Sequence, residues 1–252
     1  MSTLAGKTAL ITGAGKRIGR EIALGLAAEG ADCLVHYNRS QVHAAEVVEE
    51  CRRSGVRAEA IAANLDETDG TRSLAERAVE ENVDILVHNA STFDRLPFLE
   101  SAPAKHAEML QRDWAVHVNA PYLLSRIVGE RMVKSGWGRI VLIGDWSSEA
   151  AVYRHYAPYI VTKAAMPTLT KVLALELGSR SPGVTVNTVL PGPLIPPEGY
   201  GAADTEMVKR QTVLGSWVGA ADVVRAVLFL IASDKVTGAS VRVDGGRAIK
   251  AL

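Results

Sequence analysis

Tyr159 and Lys163 stand four residues apart in the run Tyr159-Ile-Val-Thr-Lys163. On a helix that spacing puts both side chains on one face, so a phenol and an ammonium converge. An unperturbed phenol has a pKa of about 10 and exchanges protons poorly at neutral pH. A neighbouring ammonium stabilises the phenolate, lowers that value and makes the phenol usable in acid–base catalysis. Tyr153 and Tyr156 lie just upstream, but neither has a lysine four residues later. The pair alone is a common coincidence, and it gains weight from a second feature far upstream. Thr12-Gly-Ala-Gly-Lys-Arg-Ile-Gly19 joins a β-rich run to an apolar-periodic one. Gly13 and Gly19 allow a tight turn whose backbone N–H groups approach a diphosphate, with the positive end of a helix behind them. An ordinary strand-to-helix turn also uses glycine; this one comes first in an alternating pattern, the context that dinucleotide binding requires.

The next strand-like run ends in His36-Tyr-Asn-Arg-Ser40 and has no carboxylate. A dinucleotide without a 2′-phosphate is typically held by an acidic residue at that point. Arg39 and Ser40 instead offer a guanidinium and a hydroxyl, with His36 and Asn38 beside them, and Lys16 and Arg17 approach the same corner. Those groups suit a phosphate. The expected cofactor is NADP (NADPH) rather than NAD.

Positioning these residues takes alternating strands and helices. Apolar runs at 7–12, 31–37, 56–62, 83–88, 139–143, 184–189 and 239–243 read as strands. Helix-length segments read at 18–30, 41–53, 103–135, 159–177 and 220–232, and the runs around Glu46–Glu50 and Glu76–Glu81 read as solvated helix faces. The pattern predicts an α/β fold, a doubly wound parallel sheet covered by helices on both faces. No linker or low-complexity tract divides the 252 residues, so 1–252 reads as a single domain. Residues 191–216, rich in Pro and Gly, read as a substrate-binding loop with a short helix near 204–210.

Composition narrows the partners. Lys plus Arg and Asp plus Glu are both 28, so no global field favours nucleic acid or anionic lipid. Apolar segments are interrupted well short of ~20 residues, and no charged leader precedes a long apolar core, so the expectation is a cytoplasmic protein with no membrane span. Cys33 and Cys51 have no disulfide-framework or metal spacing, and the six histidines show no paired metal spacing. His88 is expected to be buried beside the cofactor loop and the other histidines to lie mostly at the surface. The expected partner is a small-molecule substrate.

Together these features make the chain resemble the short-chain dehydrogenase/reductase family over nearly its whole length. The resemblance rests on Thr12-Gly13 through Ile18-Gly19, Asn64-Leu65-Asp66, His88-Asn89-Ala90, Asn119, Tyr159 with Lys163, and Pro191-Gly192. It implies a Rossmann-like sheet of seven parallel strands, hydride transfer from a nicotinamide, and a dimer or tetramer, here a homotetramer, built through the long helices. It further implies that Asp66 contacts the adenine and Asn89 lines the cofactor. Asn119 would hold a water of the proton relay, and Lys163 would bind the nicotinamide ribose while tuning Tyr159.

Two departures from the family pattern stand out. Arg17 occupies a position of the glycine turn that is usually Gly, and Asp145, in Ile143-Gly-Asp-Trp-Ser-Ser148, falls where a substrate-orienting serine is usual. Ser147 and Ser148 are the other candidates for that serine, closer in sequence to Tyr159 than the family spacing. Asp145 is one residue farther than that spacing. Both departures resemble the pteridine reductase branch, as do His36–Ser40 and the segment Asn89-Ala-Ser-Thr-Phe93. That resemblance implies a flat pterin between the nicotinamide and Phe93, with Ser91 alongside, Arg17 near the ring oxygen and Asp145 near the ring nitrogens. An ionised carboxylate only accepts hydrogen bonds, so it suits N–H-rich edges and repels a carbonyl oxygen. Phe93 reads either as a stacking face or as a hydrophobic plug, and Trp217 either as pocket lining or as packing. The alternatives to a pterin reductase are a carbonyl reductase of the same fold (3-oxoacyl, sugar or steroid ketone) and a non-catalytic NADP-binding protein.

Overall fold

Thr8–Ile11 (β1) is wholly buried, and its alternate residues face two different cores, as a strand covered on both sides must. Ala9 and Ile11 join a cluster with Ile22, Leu26, Val47, Val227 and Leu230, whereas Leu10 joins Leu74, Leu124, Val128 and Leu173. The computed structural model describes residues 4–150, 153–194 and 201–250, with the side chains of 202–204 outside that description.

In chain order the elements are β1, α1 (Arg17–Ala28), β2 (Asp32–Tyr37), α2 (Gln41–Arg53), β3 (Ala58–Ala62), α3 (Thr68–Glu80), β4 (Ile85–His88) and α4 (Pro103–Trp114). A π-helical turn, Ala115–Asn119, leads into α5 (Ala120–Ser135), β5 (Gly138–Ile143) and a 3₁₀ turn, Trp146–Ser148. Then come α6 (Ala157–Gly178), β6 (Val184–Pro191), α7 (Ala202–Arg210), α8 (Ala220–Ala232), β7 (Ser240–Val243) and α9 (Arg247–Lys250). The strands form one seven-stranded sheet in the order β3-β2-β1-β4-β5-β6-β7, and every pairing is parallel. One core lies under α1, α2 and α8, the other under α3, α5 and α6. The seven-stranded, doubly wound architecture is therefore the one the sequence predicts.

Strand order reverses between β1 and β4, and a doubly wound sheet opens its ligand crevice at the carboxyl ends of those strands. The span 103–135, expected as one helical segment, contains the π-helical turn. Pro121 has no N–H to give the carbonyl of His117 four residues earlier, so the regular helical bond is missing where the turn widens. Of the expected substrate loop, β6 takes in Pro191 and α7 begins at Ala202. Its residues 195–200 lie outside the described residues.

Candidate active site

The loops after β1 and β4 interlock at the crevice. Thr12 Oγ1 accepts from the backbone N–H groups of Asn89 and Ala90, both at 3.0 Å. Asn89 Nδ2 donates back to the carbonyls of Thr12 and Gly13. A Cβ on Gly13, whose φ is +63°, would stand 2.9 Å from Ala90 Cα, and one on Gly19 would stand 2.3 Å from the Gly13 carbonyl oxygen. Only glycine admits that approach. His36 was expected among cofactor-contacting and surface residues, but it is buried. Its Nδ1 accepts from Gly13 N–H at 3.0 Å, and its Nε2 donates to the Ala63 carbonyl. Burial pulls its pKa down to about 4, so it is a neutral strut beneath the turn.

Three cations stand at the mouth of this turn. Lys16, Arg17 and Arg39 are exposed, and among the described residues none has an ion-pair partner, whereas Arg20 is held by Glu21 and Glu50. A Cβ on Gly15 would sit 3.5 Å from Ser40, so the glycine turn and the start of α2 meet. Arg17 has φ +53°, a left-handed backbone that costs a non-glycine residue about 1 kcal/mol or more. Asn38 Nδ2 donates to Asn64 Oδ1, Leu65 is buried below, and Asp66 is exposed at the rim. Ile18 is buried as the first apolar anchor of α1. This corner offers unpaired cations and a hydroxyl, which fits a dinucleotide carrying an additional phosphate.

At the carboxyl end of β5, Tyr159 donates to Asp145 Oδ2 at 2.6 Å, while Asp145 Oδ1 accepts from Ser147 N–H at 2.7 Å. Both carboxylate oxygens thus face donors, the pattern of an ionised acceptor. Ser148 turns its hydroxyl onto the Asp145 carbonyl, and Ser147 is buried away from the phenol, so Asp145 is the group that meets Tyr159. Lys163, expected to tune the phenol, is bonded to the backbone and stands near the tyrosine ring. Lys163 Nζ donates to the Ile143 carbonyl at 2.8 Å and lies 5.9 Å from the tyrosine ring centroid. Burial, then the adjacent Asp145 carboxylate, raises the Tyr159 pKa well above 10, and burial lowers that of Lys163 to about 8. The phenol is accordingly a protonated donor. Asn119 ends the π-helical turn exposed, without a side-chain hydrogen bond among the described residues.

An aromatic wall flanks the phenol. Phe93 is 50% exposed, stacks on Tyr156 (centroids 4.4 Å, planes 13° apart) and meets Tyr159 edge-on at 4.8 Å. A plug would be buried, and Phe93 is half-exposed. Trp146 is fully buried and donates Nε1–H to the Tyr153 hydroxyl, so it backs the wall without lining it. Trp217, partly buried, donates to the Thr205 carbonyl on α7, and Gly192 packs so closely on Asp244 that a Cβ would stand 2.6 Å from its Cα. The sequence reading missed the residues behind Phe93. His117, expected at the surface, is buried and bonded to Ser91, Thr92 and Thr162, and Thr92 is also bonded to Asp113. An isolated histidine carries no mark of that burial in the sequence.

A family model described as Enoyl-(Acyl carrier protein) reductase matches residues 13–248. L-xylulose reductase of Bos taurus is 35% identical over 96% of this chain and 97% of its own length. Among solved structures, a blue fluorescent protein from a metagenomic library in complex with NADPH is 34% identical, covering 97% of this chain and 99% of that one, with a TM-score of 0.87. FolM alternative dihydrofolate reductase 1 from Brucella canis, complexed with NADP, is 26% identical with a TM-score of 0.87, covering 99% of this chain and 96% of that one.

Proposed function

We propose a substrate and a reaction for this chain, which belongs to the short-chain dehydrogenase/reductase family. It is an oxidoreductase whose cofactor is NADP(H): similar chains carry it, and Arg39, Ser40 and Lys16 offer unpaired groups for its additional phosphate. The substrate is a flat nitrogen heterocycle of the pterin or dihydropteridine class, reduced at a ring C=N bond. One observation carries this reading: the tyrosine is paired with a carboxylate, Asp145, where the family pattern has a hydroxyl.

When bound, NADPH supplies a hydride to the ring carbon. The ring nitrogen needs a proton, and Tyr159 is the protonated donor beside it. A ring N–H donating to Asp145 replaces the phenol as that carboxylate's partner and frees the phenol proton for the nitrogen being reduced. Phe93 gives the ring a face to stack on, Ser91 borders it, and Arg17 supplies a donor for a ring oxygen. Gly13, Gly19, Asn89 and Ala90 shape the cofactor crevice, with Pro191 and Gly192 on its far side.

A second reading, reduction of a ketone or aldehyde, is favoured by the similarity to L-xylulose reductase, and the known relatives weigh toward it. For a carbonyl oxygen Asp145 is useful only when protonated, because its ionised form repels the oxygen. The two readings separate by titrating the NADPH-loaded protein with a methotrexate-like pteridine. The pterin reading expects quenching of bound-cofactor fluorescence and competitive inhibition. No response, together with turnover of a sugar or 3-oxoacyl ketone, would establish the carbonyl reading instead. We also propose a homotetramer, because Trp114, Tyr122, Val161, Val172 and Leu175 leave apolar surface exposed along α4, α5 and α6.

A further inference from the structure

We infer that His117 is a positioning residue: it ties the loop carrying Phe93 to the helix carrying Tyr159, and so fixes where the aromatic wall stands relative to the phenol. Its kinetic consequence rests on the flat-substrate reading above; the hydrogen bonds themselves do not. His117 lies in the π-helical turn Ala115–Asn119 and is fully buried.

The tautomer follows from the partners. Thr92 N–H points at His117 Nε2 from 3.2 Å, and a backbone N–H can only donate, so Nε2 carries a lone pair. The Ser91 hydroxyl lies 2.9 Å from the same nitrogen. The proton is therefore on Nδ1, 2.8 Å from Thr162 Oγ1. Thr162 directs its own hydrogen to the carbonyls of Pro158 and Tyr159, so it accepts from the histidine. A proton on Nδ1 has no onward route past those carbonyls. The arrangement is a tie rather than a proton wire.

Both ends of the tie matter to the site. Thr162 lies between Tyr159 and Lys163 on α6, and its hydroxyl bonds to the Tyr159 carbonyl. Thr92 immediately precedes Phe93. Its side chain donates to Asp113 Oδ1 at 2.7 Å, and Arg112 grips that same oxygen. Asp113 thus pins Thr92 to α4, while His117 pins its amide toward α6. Phe93, the next residue, stands stacked on Tyr156 and edge-on to Tyr159.

Three variants of the full chain separate the two arms. In His117→Gln the amide oxygen reaches the Nε2 position and still accepts from Thr92. In His117→Asn the amide nitrogen reaches the Nδ1 position and still donates to Thr162, but Thr92 loses its acceptor. His117→Phe removes both. Hydrogen exchange of the Thr92 amide, read without substrate, is expected to stay slow in the wild type and His117→Gln and to accelerate at least tenfold in the other two. With a dihydropteridine, substrate KM is expected to rise at least tenfold in all three variants, because each cuts at least one end of the tie, with kcat and the NADPH Kd within threefold of wild type; an unchanged KM in His117→Gln overturns the Thr162 end. Unchanged exchange in His117→Asn overturns the tie. Faster exchange with unchanged KM, or KM and NADPH Kd rising together, overturns the positioning role. Should His117→Phe not fold, the Asn and Gln pair decides. Failure of every dihydropteridine to bind refutes the substrate reading, while the exchange pattern still tests the tie.

Discussion

At the carboxyl ends of β1, β2 and β4 the loops are held by neutral histidines and amides, whereas at the end of β5 a carboxylate holds a phenol. His36 supports Gly13, and His88 joins Thr12 to the Val116 carbonyl; burial pushes their pKa values down to about 4 and about 3. Each imidazole donates once and accepts once, so each bonds in a single tautomer with no net charge. The cofactor half is thereby rigid and electrically quiet except for the unpaired cations at its rim. The substrate half keeps its charge and its mobile proton inside, on Asp145, Tyr159 and Lys163. A crevice built this way lets the fold hold a dinucleotide without disturbing the acid–base groups.

Tyr159→Phe breaks the substrate half alone. Turnover should fall by ~10²–10⁴, the usual range for a lost general acid, while NADPH binding stays within twofold. Cofactor fluorescence titration beside a steady-state assay checks both; robust turnover would remove Tyr159 from the proton path. Arg39→Ala acts on the other half. It should weaken NADPH by ~1–3 kcal/mol and NADH by much less, as for a charge-assisted contact to the phosphate. Equal losses for the two cofactors would show that Arg39 does not read that group.

A third test sharpens the contrast through pH. Above pH 6.5 His36 and His88 are neutral in both folded and unfolded chains. Below it the unfolded chain takes up protons that the folded one refuses, so acidification favours unfolding, down to about 4 for His36 and about 3 for His88. The loss is ~1.4 kcal/mol per pH unit for each histidine. Urea unfolding at pH 7.5 and 5.5 should show this decline, and a flat profile would mean that the imidazoles are not locked neutral.

Much of the fold was legible because a parallel sheet buries both faces of its strands. Runs such as Ile85–His88 and Gly138–Ile143 are apolar enough to be read directly, and the 41–53 and 220–232 helices match the elements observed. The site was legible where chemistry is tied to spacing. Tyr159 and Lys163 do share α6, but the four-residue spacing says nothing of the Ile143 carbonyl that captures the ammonium. The burial of His36 and His117, expected mostly at the surface, was not legible, since an isolated histidine carries no mark of the distant groups that bury it. The π-helical turn went unread because apolar periodicity averages across it. Asp145 stayed ambiguous with Ser147 and Ser148 in sequence because a one-residue offset separates them, and only the packed 3₁₀ turn shows which one meets the phenol.

The central claim is that Asp145, as an acceptor paired with Tyr159, selects a ring N–H over a carbonyl oxygen. Asp145→Ser, assayed for NADPH oxidation with a dihydropteridine and with a ketone panel, tests it most directly. The account predicts that dihydropteridine turnover drops at least tenfold and that ketone turnover appears or rises. Unchanged dihydropteridine kinetics in the variant, or a wild type that reduces ketones and ignores dihydropteridines, would contradict it.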